Sequence, residues 1–404
     1  MGFNPLTERG IPLDRQIRNW RELNVEPIDP QISDPYTRCR VITMNGIEFE
    51  AVQFNHQFAR HCPDPEVRRQ LAHVRYIEQQ QQRVVNWLLP GIPSVLETTI
   101  AYEQVAVDLT AWVARMEPDP YLKQAYEFGV LEDFDHLYRY ANLFEMIEHR
   151  KAAKVVDELT EVMPGRPTRT HHRHPYDNVR DSYDRNTVNP LSRLHALTVM
   201  AAEQQTMNFY MNVGPEYMEP IARQLYQEIS LIEEEHVTHY ESLVDPLEIW
   251  WERLVCHEYN ECYLYYSFLR QEPDPEVRAI WELHLAMEIE HLRIAADLMR
   301  RHEGRMSGSS RCSGRSTAGN SRRRSGSLRR TGRSSAGSTG SRRRVRTRCR
   351  SFGRRWGPDA SRGRCGPAAG PARPYRGTVR RDAGEHRGAA GAVLLRPGQA
   401  ARGA

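Results

Sequence analysis

The chain repeats one spacing of metal-type side chains, and this repeat constrains its fold more than any other feature. A glutamate is followed 30 residues later by an acidic residue and 33 residues later by a histidine. The three complete copies are Glu103/Asp133/His136, Glu203/Glu233/His236 and Glu258/Glu288/His291. A fourth copy, Glu48/Glu78/Gln81, has glutamine in place of histidine. Because carboxylate and imidazole are common metal ligands, the spacing predicts one local geometry built four times.

A proline-bearing break lies near the middle of each copy. Three breaks read x-Pro-Asp-Pro, ending at Pro65, Pro120 and Pro275, while the copy after Glu203 keeps only Pro220. Proline is favoured in the first turn of a helix because its φ is preset and its missing N–H is not needed there. The break therefore predicts two helices joined by a tight turn. The two arms of such a hairpin are roughly 24 and 21 Å long at 1.5 Å per residue, which brings the first glutamate level with the acid and the histidine.

The repeated acids share helix faces with apolar side chains. Met200 and Tyr210 lie on the face of Glu203, and Leu285 lies on the face of Glu288, so the acids are expected to point into a core. Burying one carboxylate costs several kcal/mol, against a total stability of roughly 5–15 kcal/mol. Protonation could relieve this cost. Two divalent cations would also relieve it, and the histidine beside each acid favours metal.

The pattern resembles the ferritin-like di-iron carboxylate superfamily, in which a glutamate on one helix and Glu-x-x-His on the next occur twice per four-helix bundle. Residues 191–304 match all six positions of that pattern, and residues 45–150 match it in degenerate form. The resemblance implies one two-metal site with two bridging carboxylates, two terminal carboxylates and one histidine per ion. In that order these ligands are Glu233, Glu288, Glu203, Glu258, His236 and His291.

The first bundle departs from the pattern, because Gln81 replaces a histidine and Asp133 is one methylene shorter than glutamate. A second metal site there is an open possibility, beside a mononuclear or vestigial one. Its candidate ligands are Glu48, Glu78, Glu103, Asp133 and His136. Four aromatic groups two turns from the ligands could relay electrons, although core packing is the favoured interpretation for them, and one histidine, His284, could either orient a ligand or belong to the core. These residues are Tyr210, Tyr265, Tyr226, Trp281 and His284.

We therefore expect an all-α protein with two tandem ferritin-like four-helix bundles. The expected organisation is an extended arm (1–44), a degenerate bundle (45–150), a linker (151–190), a bundle with the complete site (191–304) and a disordered basic tail (305–404). The tail holds 26 arginines, no lysine and 3 acidic residues, whereas residues 1–304 hold 30 basic and 49 acidic residues. It could contact nucleic acid weakly, but a disordered tail without function or the product of a frameshift is the favoured interpretation. His171, His172 and His174 form a linker cluster for which solvation is favoured over metal binding.

The resemblance implies a cofactor of two iron ions or a Mn/Fe pair, and a reaction that activates O₂ or reduces peroxide. No C-x-x-C pair is present, so an external electron donor would be needed. Iron binding without an organic substrate and a catalytically inactive scaffold are the alternatives, and an oligomer is possible. The polar start and the lack of a roughly 20-residue apolar run lead us to expect a cytoplasmic protein without a membrane partner.

Overall fold

The computed structural model describes residues 3–30, 32–91, 93–163 and 173–312, with side chains up to residue 302. All regular secondary structure in these ranges is helical, and no β-strand is present there, which confirms the all-α prediction. No helix of this part is both long and apolar enough to cross a membrane. The helices are α1 (Pro35–His61), α2 (Pro65–Trp87), α3 (Val95–Met116), α4 (Pro120–Glu148), α5 (Ala152–Val155), α6 (Pro190–Val213), α7 (Pro220–Ser242), α8 (Trp250–Gln271) and α9 (Pro275–Cys312).

The eight long helices form four antiparallel hairpins: hairpin 1 (α1–α2), hairpin 2 (α3–α4), hairpin 3 (α6–α7) and hairpin 4 (α8–α9). The Pro-Asp-Pro breaks start the second helix of three of them. In each, the aspartate caps the new helix; Asp119 Oδ1, for example, accepts hydrogen bonds from the amides of Tyr121 and Leu122 at 2.8 and 3.1 Å. An N-cap side chain satisfies amides that have no partner within the helix, so these short breaks produce sharp turns.

The hairpins do not combine in the order that the sequence suggests. Hairpin 2 packs on hairpin 3, through contacts of α3 with α6 and of α4 with α7. Hairpin 1 packs on hairpin 4, through contacts of α1 with α8 and of α2 with α9. The prediction that residues 45–150 form one bundle and residues 191–304 another is therefore wrong, because hairpin 1 does not form a bundle with hairpin 2, nor hairpin 3 with hairpin 4. The first and last hairpins form one four-helix group, the two middle hairpins form the other, and α1 and α6 pack together between them.

Two buried glutamates at the helix breaks hold these pairs together. Glu272 of hairpin 4 accepts hydrogen bonds from Arg40 Nε at 2.8 Å and Thr37 Oγ1 at 2.5 Å, both on α1. Its counterpart in hairpin 2, Glu117, lies 2.7 Å from His195 Nδ1 on α6 and also accepts a hydrogen bond from Ser192. Thr37 and Ser192 occupy the same position in their helices. The same hydroxyl-to-glutamate hydrogen bond therefore occurs in both groups.

A close approach distinguishes the pair formed by hairpins 2 and 3. A Cβ atom added at Gly129 of α4 would lie 1.8 Å from the hydroxyl of Tyr240 on α7. In hairpins 1 and 4, Val74 of α2 takes the position of Gly129 and Ala295 of α9 takes that of Tyr240. The larger side chain is therefore on the earlier hairpin there, and on the later hairpin in the middle pair. Only glycine leaves room for the Tyr240 hydroxyl at this point.

The segments outside the hairpins differ in extent from the expected arm, linker and tail. Helix α1 begins at Pro35, so the arm ends ten residues earlier than expected, and its described part lies against α9: the Ile11 amide donates to Ala286 O at 2.7 Å. The described part of the linker also contacts helices, since the Tyr183 amide donates to Leu243 O at 2.9 Å. Helix α9 continues to Cys312. The rest of the expected tail lies outside the described residues.

Candidate metal centres

The two middle hairpins bring six predicted ligands into one cluster, which we call the middle site. Each ligand is at most 2 % exposed. Ligand atoms of Glu103, His136 and Glu233 lie within 4.8 Å of one another, and so do those of Glu203, Glu233 and His236. Glu233 belongs to both groups, so one carboxylate takes part in two candidate ligand sets. Asp133 joins the cluster in a third group with His136 and His236.

The histidines of the middle site present Nδ1 to the carboxylates. His136 Nδ1 lies 2.9 Å from Glu233 Oε1, and His236 Nδ1 lies 3.1 Å from Glu233 Oε2. The carboxylates of Asp133 and Glu203 make only long contacts with His236 Nδ1, at 3.8 Å from Asp133 Oδ1 and 3.7 Å from Glu203 Oε2. Buried polar atoms are rarely left without close partners, so these oxygens fit a site whose positive charge is supplied by a cation.

A buried carboxylate outside the repeat orients His236. Glu132 of α4 accepts a hydrogen bond from His236 Nε2 at 3.0 Å, and Arg173 of the linker donates to both Glu132 oxygens. With Nε2 carrying the proton, Nδ1 is free to bind a metal, as is usual where a second group fixes a ligand histidine. The repeat does not predict Glu132, since the corresponding residues in the other hairpins are the apolar Ile77, Ile232 and Met287.

Burial and mutual repulsion shift the pKa values of the acidic residues in the middle site. Burial, and then the neighbouring Asp133, raises the pKa of Glu203, while burial raises the pKa of Asp133 to about 6. Burial also opposes ionisation of Glu233, yet the histidine charges nearby hold its pKa below the usual range. The pKa of His236 is raised despite its burial, because carboxylates surround it. Without metal, the site therefore retains protons that a cation would displace.

Hairpins 1 and 4 form a second cluster, the terminal site. Ligand atoms of Glu78, Glu258 and His291 lie within 4.8 Å of one another, as do those of Glu258, Glu261 and Glu288. Glu48 completes the set, since its charge and that of Glu78 both act on Glu258. All of these side chains are at most 1 % exposed. The predicted six-ligand set of residues 203–291 is therefore wrong as one site, because hairpins 3 and 4 belong to different groups; the candidate set in the first bundle is divided in the same way.

Glu261 is a functional candidate that the sequence interpretation missed. It lies one turn after Glu258, it is 1 % exposed, and its carboxyl group shares a hydrogen bond with that of Glu288. Burial and the charges of Glu288 and Glu48 raise its pKa well above the usual value. The i, i+3 spacing from Glu258 was the available signal, but the other three repeats carry Ala51, Ala106 and Thr206 at this position.

Gln81 takes the place of a histidine without reproducing its chemistry. Its amide nitrogen donates to Glu288 Oε1, in the position where His136 faces Glu233 in the middle site. A donating amide nitrogen has no lone pair for a metal. The terminal site thus contains five carboxylates and one imidazole, whereas the middle site contains four carboxylates and two imidazoles.

The N-terminal arm supplies the residue that orients His291. Gln16 Nε2 donates to Ile11 O at 2.7 Å and to Met287 O at 3.3 Å, so its Oε1 faces His291 Nε2 at 2.7 Å. His291 therefore carries its proton on Nε2, and Nδ1 faces Glu288 Oε2 at 3.1 Å. In the middle site the equivalent acceptor is the Glu132 carboxylate of α4. Helix α2 has Ile77 at that position, so the arm supplies the acceptor for His291 instead.

The five aromatic and imidazole candidates take different positions. Tyr210 and Tyr265 are fully buried, and each donates a hydrogen bond to a carboxylate of the partner hairpin, Glu103 and Glu48 respectively. His284 is 3.0 Å from the Tyr265 hydroxyl and 3.4 Å from an Arg18 nitrogen. By contrast, Tyr226 bonds Thr99 at 2.7 Å, and Trp281 bonds Glu272 at 3.2 Å. Tyr210 and Tyr265 therefore contact candidate ligands, His284 contacts Tyr265 behind one of them, and Tyr226 and Trp281 support the packing.

Of the linker histidines, His171 and His172 lie outside the described residues. His174 is exposed and accepts a hydrogen bond from the Tyr176 amide at 3.3 Å, as a helix cap. Comparison of the chain with protein-family models, with curated proteins and with solved structures gives no match.

Proposed function

We propose that the protein is a di-metal carboxylate oxidoreductase of the ferritin-like kind, with its chemistry in the middle site. The observation that carries this proposal is the buried middle cluster, in which Glu233 is shared by two ligand groups that each contain one histidine. Such a set suits iron, or manganese with iron. When bound, the ions would supply the redox chemistry that activates O₂ or reduces peroxide, with electrons from an external donor.

The surrounding residues would prepare the site for this chemistry. Glu132 and Arg173 hold His236 with Nδ1 toward the carboxylates, and the Tyr210 hydroxyl holds Glu103. Helices α3, α4, α6 and α7 exclude water from the ligands, all of which are at most 2 % exposed. In a site that excludes water, electrostatic interactions are stronger than at the surface.

A cleft of about 790 Å³ lies beside helices of both sites, and no ligand side chain is part of its lining. Its lining includes Gln204, Val237 and His257, the sequence neighbours of Glu203, His236 and Glu258. A reactant in this cleft would lie beside helices of both sites. We propose the cleft as the approach for an organic reductant or substrate.

Metal analysis of isosteric variants tests the proposal. Wild-type protein supplied with Fe²⁺ without oxygen is expected to retain about four ions per chain, two per site. The variant Glu203→Gln/Glu233→Gln should lose the middle pair, and Glu258→Gln/Glu288→Gln should lose the terminal pair. Glu234→Gln, at an exposed glutamate of α7, is the matched control and should bind as wild type does.

The result that would overturn the proposal is a metal content that neither double variant lowers. Consumption of O₂ or hydrogen peroxide by the reduced, loaded protein then separates the enzyme from the alternatives. Loss of consumption in Glu203→Gln/Glu233→Gln would support an enzyme. Full metal content without consumption would support iron binding, and absence of both would support a scaffold.

A further inference from the structure

The two sites differ in the atoms that they offer to a cation. In the terminal site Glu261 adds a fifth carboxylate, while Gln81 replaces one imidazole by an amide that donates to Glu288. In the middle site the residue at the position of Glu261 is Thr206, whose hydroxyl donates to Ala202 O at 2.9 Å and so takes no part in the cluster. The terminal site is therefore richer in oxygen and poorer in nitrogen.

The residues that accept the Nε2 proton of each ligand histidine increase this difference between the two sites. His236 donates to the carboxylate of Glu132, whereas His291 donates to the neutral amide of Gln16. A carboxylate partner makes an imidazole a stronger donor to a metal. The middle site thus has two imidazoles, one of them strengthened, and the terminal site has one with a neutral partner.

Carboxylate oxygen suits Mn²⁺, whereas imidazole nitrogen favours iron and later metals of the row. We propose that the two sites select different divalent cations, the terminal site having a higher preference for Mn²⁺ over Fe²⁺ than the middle site. This inference rests on the proposed function, since it requires that both clusters bind metal. The buried oxygens Glu48 Oε2 and Glu78 Oε1, which have no hydrogen-bond partner among the described residues, are the independent observation that the terminal cluster is built for a cation.

Competitive loading of one-site proteins tests the inference. Glu203→Gln/Glu233→Gln leaves the terminal site, and Glu258→Gln/Glu288→Gln leaves the middle site. Each protein is exposed without oxygen to equal concentrations of Fe²⁺ and Mn²⁺, freed of unbound metal, and analysed by mass spectrometry and by the Mn²⁺ electron paramagnetic resonance signal. The bound Mn:Fe ratio should be higher in the terminal site by about tenfold or more, the scale of change that even an outer partner of a ligand produces.

Exchange of the two differing positions provides the decisive control. In the terminal-site protein, Gln81→His/Glu261→Thr should lower the Mn:Fe ratio toward the value of the middle site. In the middle-site protein, His136→Gln/Thr206→Glu should raise the ratio, which keeps the test valid if one exchanged variant does not fold. Equal ratios in the two sites, or exchanges without effect, would overturn the inference and leave the proposed function standing. Failure of both sites to bind either metal would overturn the proposed function as well.

Discussion

The middle and terminal sites are each built on four helices, but they differ in the residue that orients the ligand histidine His236 or His291. In the middle site the support comes from the helices themselves, through Glu132 of α4. In the terminal site α2 carries Ile77 at that position, and Gln16 of the N-terminal arm provides the contact instead. The comparison shows that a repeated ligand pattern preserves the geometry of a cluster but leaves its chemistry to side chains outside the repeat.

The same contrast holds where the hairpins join. Each group places a glutamate of one hairpin against the first helix of the other, but the partner is Arg40 in the terminal pair and His195 in the middle pair. Arginine stays charged when its partner is removed, whereas histidine can lose its proton. The two groups should therefore respond differently to the same substitution.

The largest expected effect is that of Glu272→Met. It leaves the Arg40 guanidinium, which is 2 % exposed, with one more distant carboxylate, Asp34 Oδ1 at 3.9 Å, and removal of the close partner from a buried ion pair costs about 3–5 kcal/mol. Glu117→Met should cost less, about 1–3 kcal/mol, because His195 can become neutral. Urea unfolding of both variants measures the two free energies. Equal losses would show that the charge of Arg40 does not distinguish the groups, and Arg40→Met/Glu272→Met should recover part of the stability.

A smaller effect is expected at the close approach in the middle pair. Gly129→Ala places a Cβ atom 1.8 Å from the Tyr240 hydroxyl, and overpacking of this kind costs about 1–3 kcal/mol. The metal content of the middle site should fall, while that of the terminal site should not change. Tyr240→Phe removes the nearest atom and should partly restore Gly129→Ala in urea unfolding. No rescue would mean that another contact sets the fit of hairpins 2 and 3.

The stability of the metal-free protein should fall as the pH rises from about 5 to 8. Burial raises the pKa of Glu78 to about 7 and that of Asp133 to about 6, so between their unfolded and folded values the folded state binds more protons than the unfolded state. The raised pKa values of His236 and His291 act in the same direction, while the lowered pKa values of the buried His239 and His284 oppose it below about pH 6.5. One pKa unit corresponds to about 1.4 kcal/mol.

Thermal unfolding at several pH values, with and without metal, checks this expectation. The increase in Tm on metal binding should become larger with pH, because metal binding releases the retained protons. A metal-free protein whose Tm rises between pH 5 and 8 would contradict the assignment of these buried groups.

The smallest effect is expected from Gln16→Leu. The loss of one neutral hydrogen bond to His291 should weaken metal binding at the terminal site by about 1 kcal/mol, or roughly fivefold, and leave the middle site unchanged. Glu132→Leu should do the reverse and have a larger effect, since the lost acceptor is charged. Titration of the one-site proteins with Fe²⁺ measures both changes. An equal effect of either variant on both sites would indicate a general loss of structure.

The repeat itself was sufficient to predict the hairpins. The spacing of 30 and 33 residues and the breaks at Asp64, Asp119 and Asp274 determine helix lengths, turns and the faces on which the acids lie, because all of these are local properties of a helix. The burial of every repeated acid also follows from the apolar residues on the same faces. These predictions depend on residues within a few turns of one another.

Tertiary structure decided which hairpins meet, and hence which ligands share a site. All four hairpins present nearly the same face of acids, so each could in principle pack on any other. The choice rests on contacts between distant residues, such as Glu272 with Arg40 and Gly129 with Tyr240. Glu132 and Gln16 entered the sites for the same reason: only the packed chain places them beside the histidines that they orient, since the sequence separates Glu132 from His236 by 104 residues and Gln16 from His291 by 275.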